Sequence, residues 1–161
     1  MKNTLKPSGA MIIVDYQVVS KIISVPTQDE LSSWVSAVCS AQAMTAAEVT
    51  VRIVDEDEMR QLNKIYRDKD KPTNVLSFTA DIPPEIELDV PLLGDIIICA
   101  PVIAKEALQQ EKMLKGHWAH MVIHGVLHLL GYDHENDEDA KVMEEKEVIL
   151  LEKLGFEHPY Q

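Results

Sequence analysis

The feature that most constrains this chain is a run of histidines in its C-terminal third. Five of the six histidines lie between His117 and His134. His117, His120, His124 and His128 follow one another at spacings of three and four residues, which place them on one face of a helix. The usual explanation of a single histidine there is an amphipathic helix with a satisfied side chain. Five histidines within eighteen residues instead indicate a site.

Helix geometry narrows the set of residues that can hold one ion. His124 and His128 are one turn apart and can both reach a metal at ~2.0–2.1 Å. His120 is eight residues from His128, a rise of ~12 Å, so a straight helix cannot bring His120, His124 and His128 onto one ion. Gly131 can end the helix in the left-handed conformation and turn the chain back. His134 follows three residues later, and we predict it as the third ligand.

The pattern His-x-x-x-His-x-x-Gly-x-x-His matches the ligand spacing of the metzincin metalloproteases. Three imidazoles suit Zn²⁺ and leave a fourth position for water, whose pKa falls to ~7 on the metal. Nickel, copper and iron also accept imidazole, so the pattern specifies a metal more firmly than it specifies zinc.

One position departs from the protease pattern. Such proteases place a glutamate, the general base, directly after the first histidine, and this chain has Gly125 there. Glycine in a helix costs ~1 kcal/mol against alanine, so Gly125 indicates a packing or access requirement near the metal. Asp133 and Glu135 flank the third ligand and either orient it or relay a proton, or are surface carboxylates.

The rest of the chain predicts an α+β fold with one domain over residues 1–161, a mixed sheet of about four strands covered by about five helices, and a zincin-like metal site on a helix. Apolar alternation predicts strands at 10–19, 48–54 and 74–78, and the apolar segment 93–100 predicts a central strand covered on both faces. Predicted helices span 27–41 behind a capping box, about 101–115, 116–130 and 137–154. A further helix follows Asp55 as its cap, with an apolar face of Met59, Leu62, Ile65 and Tyr66.

Composition limits the classes of protein to consider. The longest apolar run, 96–104, is far short of the ~20 residues that cross a bilayer, and no signal peptide is evident. Cys39 and Cys99 lie in apolar surroundings and are expected to be buried free thiols, as in a reducing cytoplasm.

Charge argues against a nucleic-acid partner. The formal net charge is −12, whereas proteins that grip a nucleic-acid backbone usually carry a basic face. Lys64, Arg67, Lys69 and Lys71 form the one dense basic stretch, and composition alone favours a solvated loop for it.

Four segments together resemble the YbeY family of metal-dependent endoribonucleases, also called rRNA maturation factors. They are HGVLHLLGYDH at 124–134, LNKIYRDKDKPTNVLSF at 62–78, LGDI at 93–96 and the Gly155-Phe156 ending. The likeness covers roughly residues 48–160, and the histidine segment is its most specific part. Asn74 and Thr79 stand where the family often has Asp and Pro, which affects loop geometry rather than the site.

The resemblance implies a cytoplasmic enzyme that cuts single-stranded RNA, with zinc on His124, His128 and His134. It also implies a role in maturing ribosomal RNA, notably the 3′ end of the small-subunit RNA, and in ribosome quality control. Its partners would be ribosomal RNA and the ribosome or ribosomal proteins, with no membrane and no DNA expected. The family's functionally important arginine falls on Arg67, whose planar fork matches phosphate oxygens. Gly125 then keeps a carboxylate away from an anionic substrate.

Two alternatives stay open at this level. One is a metallopeptidase or another zinc hydrolase, which the ligand spacing allows and the missing glutamate disfavours. The other is a ribosome-assembly factor whose metal site is not catalytic, which a fourth ligand such as His120 or His158 would support by closing the site.

Overall fold

A computed structural model describes residues 11–160 of the chain. The elements in chain order are β1 (Met11–Val18), α1 (Gln28–Ala41), β2 (Ala46–Val54), α2 (Glu56–Arg67), β3 (Val75–Thr79), β4 (Leu92–Cys99), α3 (Ala100–Gln109), α4 (Leu114–Leu129) and α5 (Asp137–Lys153).

The four strands form one mixed sheet in the order β1-β2-β4-β3, in which β3 alone runs antiparallel to its neighbour. Strand β4 is an inner strand, and its side chains are buried on both faces. Ile96 and Ile98 face the larger core with α1 and α4, while Ile97 and Cys99 face a smaller core beside α2. The structure therefore confirms the α+β prediction and the doubly covered central strand.

Local signals in the sequence set several boundaries. The capping box of α1 is present, since the Thr27 amide donates to Glu30 Oε1 at 2.9 Å and the Glu30 amide donates to Thr27 Oγ1 at 3.1 Å.

Cys39 and Cys99 are buried free thiols, as predicted. Position 10 of the first predicted strand lies outside the described residues. Within residues 11–160, no helix is long and apolar enough to span a membrane.

The predicted boundary between α3 and α4 near residues 115–116 is wrong. Helix α3 ends at Gln109 and α4 begins at Leu114. The reason is Glu111, which adopts φ 55° and lets the Lys112 amide donate to the Ala107 carbonyl at 2.9 Å. A left-handed glutamate ends the helix here in a role that is more often filled by glycine.

The predicted apolar face of α2 is only partly correct. Met59 is buried, but Ile65 is 71% exposed and Tyr66 57% exposed. The last turns of α2 are fixed instead by buried Asn63, whose side-chain amide donates to the Lys71 carbonyl at 2.8 Å. A polar contact to the next loop thus replaces the apolar contact that the helical period predicts.

Asp55 occupies the N-cap position of α2, but its side chain makes no capping hydrogen bond. Its carboxylate accepts from the Ser20 hydroxyl and from the Lys21 amide, the latter at 3.0 Å. These hydrogen bonds hold the pKa of Asp55 below its usual value. The predicted N-cap position is therefore correct, but the Asp55 side chain does not cap the helix and instead ties α2 to the segment after β1.

At Gly125, α4 approaches the sheet closely. A Cβ atom at this position would lie 2.9 Å from Ile96 Cγ2 and 3.3 Å from Ser77 Oγ, and the Ser77 hydroxyl already donates to the Gly125 carbonyl at 3.2 Å. Ile96 is fully buried and branched at Cβ, so it has little room to move. Gly125 therefore meets the packing requirement that its helical position indicated.

We predict that Gly125→Ala lowers the free energy of unfolding by about 1–2 kcal/mol, because overpacking outweighs the gain in helix propensity. Gly116→Ala in the same helix is the matched control, since its added Cβ meets only Phe156 Cδ1 at 3.5 Å. That control should gain about 0.5 kcal/mol from reduced chain entropy. Urea denaturation of both variants measures the difference, and equal stability of the two would contradict the packing argument.

Candidate metal centre

The candidate metal centre is built where α4 ends. His124 and His128 lie one turn apart on this helix, and the chain then reverses at Gly131. The Gly131 amide donates to the His128 carbonyl and the Tyr132 amide to the Leu127 carbonyl, each at 3.0 Å, with Gly131 at φ 101°. This pair of hydrogen bonds is the Schellman motif. It requires a positive φ after the helix, which residues with a Cβ rarely adopt.

The glycine turn brings His134 back to the two helical imidazoles. One ring nitrogen from each of the three histidines lies within 4.8 Å of the other two. Their ring centroids are 4.7 Å apart for His124 and His128, 4.9 Å for His128 and His134, and 5.5 Å for His124 and His134. A tetrahedral ion needs about 3.4 Å between nitrogens, so small ring rotations suffice. The three predicted ligand side chains therefore fit a single divalent ion.

Burial and charge favour the neutral, ligating form of the middle histidine. Burial lowers the pKa of His128, and the nearby His124 and His134 lower it further. The three rings differ in exposure: the His124 side chain is 20% exposed, His128 is half-buried and His134 is exposed. The site is thus anchored in the core on one side and open on the other.

Neither His120 nor His158, the two residues considered as a fourth ligand, belongs to this group of three histidines. Within the described range, the cluster that could hold a metal consists of the three histidines alone. His120 Nε2 is 2.8 Å from Glu147 Oε1, and His158 Nδ1 accepts from the Tyr160 amide at 3.1 Å. The described part of the chain therefore offers an open, three-ligand arrangement.

Glu147 is a functional candidate that the sequence analysis missed. It is fully buried, and its carboxylate lies 2.6 Å from His124 Nδ1 and 2.8 Å from His120 Nε2, with a further hydrogen bond from the Tyr160 hydroxyl. Burial alone would raise the pKa of this carboxyl, but these hydrogen bonds lower it to about 2. Because Nδ1 of His124 is engaged, Nε2 is the nitrogen left for a metal.

A signal for Glu147 was present in the sequence. The buried positions of α5 are Met143, Glu147, Leu150 and Leu151, which follow the spacing of an apolar helical face. A carboxylate within such a face has to find partners, since an unpaired buried charge is very costly. Opposite a helix rich in histidines, those partners are imidazoles.

A second carboxylate, on α3, pairs with a histidine near the beginning of α4. Glu106 Oε1 lies 2.9 Å from His117 Nε2, and the Asn74 side-chain amide donates to both Glu106 oxygens at 3.3 and 3.2 Å. An aspartate at position 74 would set two carboxylates against each other, so Asn74 matches its neighbour in this chain.

A cleft of about 830 Å³ connects the histidines with the basic segment after α2. Arg67, Lys69 and Lys71 line it together with His124, His128 and His134, whereas Lys64 does not. The charge-based expectation of a solvated loop is therefore incomplete, because three of the four basic residues face a shared cavity.

Arg67 is held in position within this cleft. Its guanidinium donates to the Ser77 carbonyl at 3.3 Å and to the Tyr66 carbonyl at 3.2 Å, and it lies 5.4 Å from the centre of the Phe78 ring. Two of the five N–H donors of arginine are used in these contacts, which leaves three for a ligand.

Two acidic side chains also line the cleft. Asp133 accepts a hydrogen bond from the His134 amide at 2.7 Å, and Glu135 is exposed beside it. Asp133 thereby shapes the loop that carries the third histidine.

We predict that Glu147→Gln weakens zinc affinity by about tenfold to a hundredfold, because the amide cannot accept from both His120 and His124. Glu145→Gln on the exposed side of α5 is the control and should leave affinity unchanged. Competition with a chromophoric chelator gives the affinity, and the Co²⁺ spectrum reports the geometry. An affinity within twofold of the parent, in a folded variant, would remove Glu147 from the site.

Comparison with known proteins identifies the family of this chain. The family model described as Endoribonuclease YbeY matches residues 15–155. An Endoribonuclease YbeY from Cellvibrio japonicus is 50% identical over 147 residues, which cover 91% of this chain and 82% of that protein. The solution structure of TM1509 from Thermotoga maritima is similar with a TM-score of 0.58 and 30% identity, over 89% of each chain. The chain belongs to the YbeY endoribonuclease family.

Proposed function

We propose that this protein is a zinc-dependent endoribonuclease that cleaves single-stranded RNA. The observation that carries the proposal is that one cleft holds both a three-imidazole cluster and a fixed arginine. Phosphodiester cleavage requires positive charge around a phosphate and a means of activating water, and this arrangement suits both needs. Family membership supports RNA as the substrate.

His124, His128 and His134 would hold the ion. Zinc bound there supplies a Lewis acid that polarises a phosphate oxygen and lowers the pKa of water. The protein's own part is to orient the imidazoles: α4 fixes two of them, and Glu147 fixes the ring plane of His124 through Nδ1. No further histidine, cysteine or carboxylate among the described residues joins this cluster.

Arg67 would bind the scissile phosphate. Its two carbonyl contacts and the Phe78 ring restrict the guanidinium plane before substrate arrives, which reduces the entropy lost on binding. A guanidinium can contact two phosphate oxygens at once and so stabilise the charge that grows as the bond breaks. Lys69 and Lys71 add positive charge on the same wall.

This local concentration of charge offsets the acidic total. The chain carries a net charge of −12, so most of its surface repels RNA. The cleft can still attract a phosphate, because charges within a Debye length of ~8–10 Å dominate at physiological salt. We therefore expect weak non-specific binding and a salt-sensitive, cleft-directed interaction.

In the cell, we propose a cytoplasmic role in ribosomal RNA processing. More specifically, we propose that the protein matures the 3′ end of the small-subunit RNA and acts in ribosome quality control, with the ribosome or its proteins as partners. It rests on family membership.

The peptidase alternative is disfavoured by Gly125. The glutamate base of that mechanism would stand at this position, and its Cβ would lie 2.9 Å from buried Ile96. The assembly-factor alternative predicts that the metal ligands are dispensable. Replacing His128 with alanine distinguishes it: our proposal expects loss of RNA cleavage by folded protein, whereas a non-catalytic site would leave ribosome maturation intact.

We predict that Arg67→Glu reduces cleavage of a single-stranded RNA by a hundredfold or more, with full metal occupancy, since one charge-stabilising donor group is worth about 10²–10³ in rate. Arg67→Lys should retain part of the activity, because it keeps the charge and loses the fork. Lys64→Glu makes a similar change of charge outside the cleft and is the control. Initial rates with a labelled oligoribonucleotide measure the effect; equal rates for the two glutamate variants would contradict the role of Arg67.

A further inference from the structure

An aromatic ring stands exposed beside the arginine of the cleft. Tyr66, on the last turn of α2, is 57% exposed although its helical position predicts burial. It is the direct neighbour of Arg67 in the chain, and its carbonyl accepts from the Arg67 guanidinium. A large exposed aromatic side chain next to a charged cleft is more informative than a scattered surface apolar residue.

The Tyr66 ring has a rigid support on one side. It meets the Phe78 ring edge-to-face, with centroids 5.0 Å apart and planes at 62°. Phe78 is in turn packed on the smaller core that includes Met59 and Ile97. The pair is therefore anchored to the sheet, and a planar partner can contact Tyr66 without first ordering it.

The same pair adjoins the proposed phosphate site through Arg67, although neither ring lines the cleft itself. The Arg67 guanidinium lies over Phe78, at 5.4 Å from its centre, and also lines the cleft. Aromatic rings next to a basic groove are the arrangement by which proteins bind single strands, since bases stack while the backbone follows the positive charge.

We infer that Tyr66, supported by Phe78, forms a stacking subsite for an unpaired nucleobase of the RNA whose phosphate Arg67 binds. This inference rests on the proposed function, which it deepens by assigning a subsite to the base beside the cleft. A base in a duplex has both faces covered, so the subsite favours single strands. Because every base has a π-face, it selects for unpaired character rather than for one sequence.

The positive charge of the neighbouring cleft indicates what kind of molecule binds against Tyr66. Arg67, Lys69 and Lys71 make this wall of the cleft basic in an otherwise acidic protein. A polyanion with planar groups matches both the wall and the ring. A protein partner or a second copy of this acidic chain would offer an apolar contact without that match.

The test compares binding of a short single-stranded oligoribonucleotide with binding of the same oligonucleotide carrying abasic sites. Fluorescence anisotropy with full-length protein in EDTA measures both affinities without cleavage. Tyr66→Leu removes the ring and keeps apolar volume, and Tyr66→Phe keeps the ring. Ile65→Ala, at an exposed neighbour, controls for lost apolar area.

We expect Tyr66→Leu to weaken binding of the normal RNA by about fivefold to 150-fold, the effect of one stacked base. Tyr66→Phe and Ile65→Ala should stay within twofold of the parent. The abasic RNA should bind the parent as weakly as the normal RNA binds Tyr66→Leu, and that variant should bind both RNAs alike. In cleavage assays with metal, the loss should appear in KM.

Two results would overturn the inference. One is a Tyr66→Leu variant that binds the normal RNA as tightly as the parent, and the other is equal weakening for normal and abasic RNA, which would point to a protein-docking or structural role. Failure of the proposed function looks different, because the metal-loaded parent itself would then cleave no RNA.

Discussion

Helix α4 has to be buried on nearly every side while carrying four imidazoles, and much of the structure satisfies that requirement. Buried polar groups cost several kcal/mol without partners, so each ring needs a hydrogen bond, a metal or contact with solvent. Glu106 pairs with Nε2 of His117. Glu147 pairs with both Nε2 of His120 and Nδ1 of His124. The carboxylates on α3 and α5 thereby tie those helices to α4, and the pair of Glu147 with His124 also orients a residue of the candidate metal centre.

The site combines two kinds of positioning. Backbone geometry sets the ligands, through one helical turn and one glycine reversal. Contacts of its side chain position Arg67: its guanidinium donates to the carbonyls of Tyr66 and Ser77 and lies over the ring of Phe78 from β3. The two meet at Ser77, whose hydroxyl donates to the Gly125 carbonyl of α4 and whose carbonyl accepts from Arg67. Strand β3 thus contacts both the arginine and the helix that carries His124 and His128, at neighbouring residues.

Sequence reasoning reached the fold class, the sheet's central strand and the three clustered histidines, because each depends on local periodicity or fixed spacing. It failed at Glu111, where a glutamate rather than a glycine takes the left-handed conformation, and at Ile65 and Tyr66, which remain exposed despite their helical positions. It missed Glu147, since the partner of a buried carboxylate is set by the docking of two helices distant in sequence. Charge counting also failed for the basic cluster, because the fold brings Lys69 and Lys71 to the histidines.

The unequal burial of the three imidazoles has an energetic consequence. Two of them are parts of a helix that the core already fixes, whereas His134 lies exposed on the loop beyond Gly131. Most of the order that a chelating site requires is therefore established when the protein folds, and binding of an ion at this candidate centre would have only the exposed His134 left to hold. Affinity at such a centre can be adjusted through the loop that follows Gly131, without disturbing the sheet beneath it.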